Sequence, residues 1–247
     1  MNLTSKTQID RLGDRLRKGK FGDEELRRLD VFRRSFAGAY EKVVTAVRKA
    51  TQLEPTGRPA KSTTSIVEKL RRETMRLSQM QDIAGCRLVV LDISSEDLIV
   101  ELLKNALPNA VVVDRRNQPS HGYRAVHIIA TARGKPVEIQ VRTEFQHLWA
   151  QLSEKLSDVI DPAIKYGGGD AGARELMSII SRSIAGLESM EVGVRDTVEL
   201  ARGSSSDLER EGKLLADKFA RLKKEARELL EESIAKYEGS PKGESGV

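Results

Sequence analysis

Apolar residues recur at three- and four-residue spacing through residues 7–50, at Leu26, Leu29, Phe32, Phe36, Tyr40, Val43 and Val47. That is the period of an amphipathic helix, so a helical cap is expected over residues 1–50. The run Glu54-Pro55-Thr56-Gly57-Arg58-Pro59 then interrupts the pattern, and its two prolines and glycine predict a loop. After it, Thr64 or Ser65 is placed to cap a helix over 66–76, with Glu68 in the first turn against the positive end of the dipole. Four strand-like runs follow at 86–91, 110–113, 124–132 and 135–141. A helix over 95–106 separates the first two, and an Arg133-Gly134 turn joins the last two.

The remainder reads as helical. Residues 144–160 carry an apolar and aromatic face (Phe145, Leu148, Trp149, Leu152, Leu156) that stops near Asp161-Pro162, and Gly167, Gly168 and Gly169 form a joint. Helices over 171–202 and 206–237 flank a Gly203-Ser204-Ser205-Ser206 break. The second carries Leu208, Leu215, Phe219, Leu222, Ala226, Leu229 and Leu230, a seam suited to its own domain or to a partner helix. The polar tail 239–247 is expected to be disordered. Strands alternating with helices and ending in a hairpin predict an α+β fold, a mixed α/β sheet flanked by helices, with helical N- and C-terminal extensions. The expected divisions are 1–50, a central catalytic region 51–160, a helical region 161–238 and the tail 239–247.

Composition narrows the chemistry. The single cysteine, Cys86, excludes an internal disulfide and a Cys-rich zinc site, and points to a reducing cytoplasm. No run of eighteen apolar residues occurs and the first twenty residues are polar with both charge signs, so neither export nor membrane insertion is expected. The net charge of +5 favours anionic partners such as nucleotides or nucleic acid.

Three groups of residues carry candidate chemistry. Lys61, Ser65 and Lys69 recur every four residues, so a hydroxyl and two ammonium groups share a face near a helix N-terminus, as a polyphosphate cradle requires. The same residues also suit a plain solvated face. Asp82 precedes an apolar strand and Glu138 alternates with apolar neighbours in another, so the two carboxylates can share one Mg²⁺ if those strands are adjacent. Ion pairs to Arg87 or Arg142 account for them equally well. The loop 117–127 is the densest polar cluster, in which Tyr123 can stack on a purine and His127 can face a site; a packed tyrosine and a core histidine fit as well. Three histidines in all, His121, His127 and His147, are too few for the His-Asp metal centre of a phosphohydrolase.

Four ordered segments together resemble the synthetase domain of the RelA/SpoT family, the enzymes that make guanosine alarmones. They are Gly57-Arg58-Pro59-Ala60-Lys61 with Ser65 and Lys69, Gln81-Asp82-Ile83-Ala84-Gly85-Cys86-Arg87, His121-Gly122-Tyr123-Arg124-Ala125-Val126-His127, and Val137-Glu138-Ile139-Gln140-Val141-Arg142-Thr143. The resemblance spans about residues 50–160 and, without a hydrolase region, is similar to a small alarmone synthetase or a toxin relative. It implies a nucleotidyltransferase-like sheet and a cytoplasmic, magnesium-dependent enzyme. That enzyme would move the β,γ-pyrophosphate of ATP to the 3′-hydroxyl of GDP or GTP.

By the same resemblance, Arg58 and Arg87 sandwich adenine, and Lys61, Ser65 and Lys69 hold the ATP phosphates. Asp82 and Glu138 bind Mg²⁺, with Glu138 also the general base. Tyr123 stacks on guanine, His127 contacts phosphates, and Gln140, Arg142 and Arg124 support the site. Two departures stand out. Pro59 occupies the place of the family's usual arginine, with Arg58 shifted by one. The acceptor loop, Asn117-Gln118-Pro119-Ser120-His121, lacks the family's lysine, leaving Arg115, Arg116 or His121 to compensate. A toxin-type transfer to tRNA ends or adenosine nucleotides is therefore a second expectation, for which Arg15, Arg17, Lys18 and Lys20 offer a basic RNA surface. A catalytically silent nucleotide-binding module is a third, and a homo-oligomer built through the terminal helices is compatible with each.

Overall fold

The computed structural model describes residues 5–238, so the expected tail 239–247 lies outside the described residues. The chain divides into two compact units. The first holds the chain up to Leu88, Ile99–Val113 and His127–Val141; the second holds Val89–Leu98, Asp114–Val126 and the chain from Arg142 onward.

In the first unit the amphipathic N-terminal run folds as three helices, α1 (Lys6–Arg17), α2 (Asp23–Arg34) and α3 (Ala37–Thr51). Ser5 caps α1 by accepting from the Gln8 amide, the Glu25 carboxylate takes the Gly22 amide at the start of α2, and Gln52 ends α3 in the left-handed region. Leu12, Leu16, Leu29, Phe32, Val43 and Val47 are buried, as the three- and four-residue spacing requires. Arg17 reaches the C-terminal end of α4 (Thr63–Arg72), donating to the carbonyls of Leu70, Glu73 and Met75 that the helix leaves open. The cap of α4 is Ser62, whose Oγ accepts from the Ser65 amide, and not Thr64 or Ser65 as expected. The helix also stops at Arg72, four residues early, because Glu73 turns extended and Arg17 supplies the terminal hydrogen bonds.

Five strands form one mixed sheet in the order β1-β2-β5-β4-β3: β1 (Thr56–Arg58), β2 (Gly85–Val90), β3 (Val111–Asp114), β4 (Val126–Ala132) and β5 (Lys135–Thr143). The segment expected as a loop thus contributes an edge strand, β1, antiparallel to β2 with Thr56 opposite Arg87, Gly57 opposite Cys86 and Arg58 opposite Gly85. Pro55 and Pro59 lie on either side of it, where a proline's missing amide costs the ladder nothing. β4 begins at Val126 rather than 124, since His121 and Gly122 turn through positive φ and Ser120 pairs with Tyr123. Between β2 and β3 lies α5 (Ile93–Ala106), with Asp92 Oδ1 accepting from the Ser95 amide 2.7 Å away. This is the α+β arrangement the strand and helix pattern predicts.

In the second unit α6 (Glu144–Val159), α7 (Ala171–Ala201) and α8 (Ser206–Lys236) pack around Phe145, Trp149, Leu152, Leu156, Met177, Ile184, Leu187 and Ile234. The Trp149 indole donates to the Met177 carbonyl at 2.9 Å, so the largest core side chain is satisfied. No helix among the described residues is long and apolar enough to cross a membrane.

A buried polar network runs through this unit. Glu96 and Glu188 both accept from the Gln146 amide, at 3.2 and 3.3 Å, and Thr143 Oγ1 also donates to Glu188. Burial pushes the Glu96 carboxyl up to about 7, against the pull of Arg116, and burial raises Glu188 as well. The folded chain therefore holds a proton on Glu96 that the unfolded chain has already released, and stability falls as pH rises from about 4.5 to about 7. Replacing Glu96 by Gln is expected to shrink the loss of unfolding free energy between about pH 5 and about pH 8 by up to about 3 kcal/mol. Denaturant titration at the two pH values measures it.

Candidate functional site

In the first unit two lysines close on one carboxylate. Lys61 Nζ lies 2.6 Å from Asp82 Oδ2 and Lys69 Nζ 3.0 Å from Oδ1, all three side chains being largely buried. The approach is built by the backbone: the Lys61 amide donates to the Ile83 carbonyl at 2.6 Å, and Arg33 Nε donates to the Lys61 carbonyl. Eight residues on, Lys69 reaches the same carboxylate from α4, while Ser65 between them accepts from the Ser62 hydroxyl at 2.8 Å. Burial raises the Asp82 pKa, but the two ammonium charges and their hydrogen bonds outweigh it and hold the carboxyl below its ordinary value. Asp82 is thus held by a clamp of two lysines.

Glu138 stands on β5, which is hydrogen-bonded beside β2. Its amide donates to the Ala84 carbonyl at 3.1 Å, two residues beyond Asp82. His127 Nδ1 lies 2.8 Å from one carboxylate oxygen and Gln140 Nε2 donates to the other at 2.7 Å. Burial and the Asp82 charge raise the Glu138 pKa; the His127 contact and the Gln140 hydrogen bond lower it further, so the group stays ionised below the usual range. The pairing of β2 with β5 and the bond from the Glu138 amide to the Ala84 carbonyl bring Glu138 to the strand that Asp82 precedes.

No group of three or more His, Cys, Asp and Glu that could hold a metal occurs among the described residues. Two oxygen ligands without a histidine suit a hard ion that keeps waters and binds phosphate oxygens, which is the behaviour of Mg²⁺. Asp82 and Glu138 are the residues that could hold it. The β1–β2 register puts Arg58 and Arg87 on one face, two residues apart along the ladder, with Arg58 exposed and Arg87 half-buried.

The second unit holds the acceptor-loop residues named from sequence. The Arg142 guanidinium lies 4.7 Å from the Tyr123 ring centre and donates to its hydroxyl, and Trp149 meets the ring edge-on at 6.5 Å. Arg124 donates to the Arg116 carbonyl and to Ser181 Oγ, which in turn donates to the Gly122 carbonyl. Arg116 is occupied otherwise than expected: it is paired with Asp97 at 2.6 Å, Asp114 at 2.7 Å and Glu96 at 3.4 Å, so it offers no spare charge to a phosphate. His121 lies in a cavity of about 410 Å³ with Arg124, Arg174, Ser178, Ser181 and Arg182. Arg174 and Arg182 come from α7, and no sequence motif ties them to a loop fifty residues earlier.

Residues 57–157 match the region found in RelA and SpoT proteins. This part of the chain is similar to the RelA/SpoT family. An uncharacterized protein of Mycobacterium tuberculosis is 37% identical over 126 residues, which is 47% of this chain and 44% of the relative. A GTP pyrophosphokinase of Haemophilus influenzae is 29% identical over 143 residues, 56% of this chain and 18% of that protein. The chain thus spans less than half the length of these curated relatives. The crystal structure of small alarmone synthetase 1 from Bacillus subtilis bound to its product pppGpp shares the fold, at a TM-score of 0.55 and 22% identity over 72% of this chain and all of that one.

Two substitutions test how the first unit holds its carboxylates. A Cβ at Gly85 would lie 2.8 Å from the Glu138 carbonyl oxygen and 3.5 Å from its Cβ. Gly85→Ala is therefore expected to cost about 1 to 3 kcal/mol in urea unfolding, because backbone must move. Asp82→Asn leaves two buried ammonium groups facing each other without a counter-charge, an expected loss of about 3 kcal/mol at neutral pH. Because the Asp82 pKa is depressed, its stabilisation is complete above its ordinary 3.8 and disappears as pH falls through the lower folded value. The gap between wild type and variant should accordingly close in strong acid.

Proposed function

We propose that the chain is a pyrophosphokinase that transfers the β,γ-diphosphate of ATP to the ribose 3′-hydroxyl of GDP or GTP, releasing AMP. The observation that supports this most directly is the gathering of Lys61 and Lys69 on Asp82, just before the strand that pairs with the one carrying Glu138. A triphosphate would compete with Asp82 for the ammonium groups of Lys61 and Lys69, leaving Asp82, with Glu138, as the residues that would hold Mg²⁺. Ser65 adds a hydroxyl at the same helix start. Arg58 and Arg87 take the adenine between them. When bound by Asp82, Glu138 and phosphate oxygens, Mg²⁺ supplies neutralisation of the polyphosphate charge.

In the transfer, the 3′-oxygen bonds to the β-phosphorus of ATP as the bond from that phosphorus to the bridging α–β oxygen breaks, with AMP as leaving group. The hydroxyl proton goes to Glu138, whose second oxygen is fixed by Gln140 and whose first is held by His127. Reactions of this type depend on alignment and charge neutralisation more than on covalent help, which matches a site of cations and carboxylates. Tyr123, steadied by Arg142, stacks on the acceptor base, and Arg124 shapes the loop that presents it. Arg174 and Arg182, beside His121, take over the phosphate contacts that a loop lysine makes elsewhere in the family. The same missing lysine supports a second reading, in which the acceptor is a tRNA end or an adenosine nucleotide.

ATP labelled in its β- and γ-phosphates, offered with GDP, GTP, ATP and tRNA in separate reactions with magnesium, decides between them. Label is expected in a guanosine product, with Glu138→Gln lowering turnover at least about a hundredfold. Label in tRNA or adenosine products alone would replace the first reading by the second. No transfer to any acceptor, with nucleotide still bound, would leave a silent binding module.

A further inference from the structure

Glu96 takes no part in the transfer proposed above, yet it is placed where a carboxylate is hardest to keep charged. It lies in the first turn of α5 with no exposed surface. Its Oε2 takes the Gln146 amide at 3.2 Å and the Arg116 guanidinium at 3.4 Å, while its Oε1 is buried with no hydrogen-bond partner among the described residues. The same Gln146 nitrogen lies 3.3 Å from Glu188 Oε1, so α5 and α7 bring two buried carboxylates to one amide. Like charges held that close, away from water, disfavour each other's ionised forms.

The surrounding charges do not offset this. Glu96 is faced by Arg116 and Asp114, with Asp97 beside it on its own helix, and Glu188 is faced by Arg124 and Glu191. Arg116 is nearer to Asp97, at 2.6 Å, and Asp114, at 2.7 Å, than to Glu96, and both aspartates reach water. The excess negative charge therefore falls on Glu96, which water does not reach.

Arg116 is also the anchor of the loop that follows it. Its carbonyl accepts from Arg124, and Arg124 donates to Ser181 Oγ, whose hydroxyl donates to the Gly122 carbonyl. Gly122 in turn covers Trp149, since a Cβ there would lie 2.7 Å from the indole Cζ2. A shift of Arg116 away from Glu96 is thereby passed to Gly122, Tyr123 and Arg124.

We propose that Glu96 is a positioning residue for the loop 117–127, holding it closed as an uncharged acid and releasing it when ionised. An opening that carries Arg116 outward admits water to Glu96, where a carboxyl loses its proton readily. Burial holds this group at about 7 in the closed chain, against 4.5 in water. The open fraction therefore rises with pH from about 4.5 to about 7 and is level above that. That the loop receives the acceptor rests on the function proposed above; the proton-linked opening does not.

Trp149 is the single tryptophan of the chain, so its quenching by acrylamide reads the cover that Gly122 provides. In the full chain the quenching constant is expected to rise about threefold or more between about pH 5 and about pH 8 and then to level. Glu96→Gln, equal in shape and unable to ionise, should keep the low value throughout. Glu188→Gln removes the opposing charge and should end the rise at a lower pH, whereas His121→Asn should leave it unchanged. Calorimetric affinity for GDP should fall over the same range in the full chain and stay constant in Glu96→Gln. The quenching pattern without any GDP binding would uphold the latch and remove only its link to the acceptor. Quenching indifferent to pH in the full chain, or a rise that survives Glu96→Gln as a histidine's titration would, overturns the proposal.

Discussion

Two ammonium groups held against one carboxylate organise the first unit. Lys61 and Lys69 come from different local structures, an extended loop and a helix, and Asp82 is the point where both end. A largely buried carboxylate is tolerable only with such compensation, and two buried ammonium groups are tolerable only with it. The interaction therefore fixes α4 against the entry to β2, and through the Ala84–Glu138 hydrogen bond it also sets where β5 begins its charged face. A clamp of this kind is stable yet exchangeable, because phosphate oxygens offer lysine the same charge that Asp82 does.

Close backbone approach is the second constraint. Gly57 and Gly85 lie at the β1–β2 and β2–β5 crossings, where a Cβ would lie 2.6 Å from the Gly85 carbonyl and 2.8 Å from the Glu138 carbonyl, respectively. Neither glycine has an unusual φ; each is needed for space rather than for conformation. The absent side chain at Gly85 also clears the face on which Arg58, Arg87 and Glu138 stand, whereas Gly57, opposite Cys86, lies on the other face. Gly85 thus serves the β2–β5 approach and the open face at once.

Much of this was legible in the sequence, and the failures share a cause. Helices with strong periodicity, α6 to α8, were placed within one residue at their ends, and the sheet's four longer strands were found within three, because burial on one face imprints a period. β1 was missed because three exposed residues between prolines carry no pattern, and only pairing with β2 makes them a strand. Lys61 and Lys69 were identified as a pair, but their convergence on Asp82 was not, since spacing reports a shared face and not what lies opposite it. Arg116 differs from expectation for the same reason: its charge is visible in the sequence, whereas Glu96, Asp97 and Asp114 around it are brought there by folding.

That last network bears on how the loop 117–127 is held. Arg116 is pinned by three carboxylates, and its carbonyl receives Arg124, whose other edge binds Ser181 on α7. The loop is thereby fastened to α7 by side chains whose charge is already neutralised or directed inward. The other cations beside it are Arg174 and Arg182, which α7 itself supplies to the cavity at His121, Arg182 with Glu175 3.5 Å away. Cations carried on a rigid helix lose less freedom on meeting an anion than a lysine on a loop would. The position of positive charge beside the loop is thus set by helix packing in the second unit, and the loop sequence is released to carry proline, serine and a left-handed histidine instead.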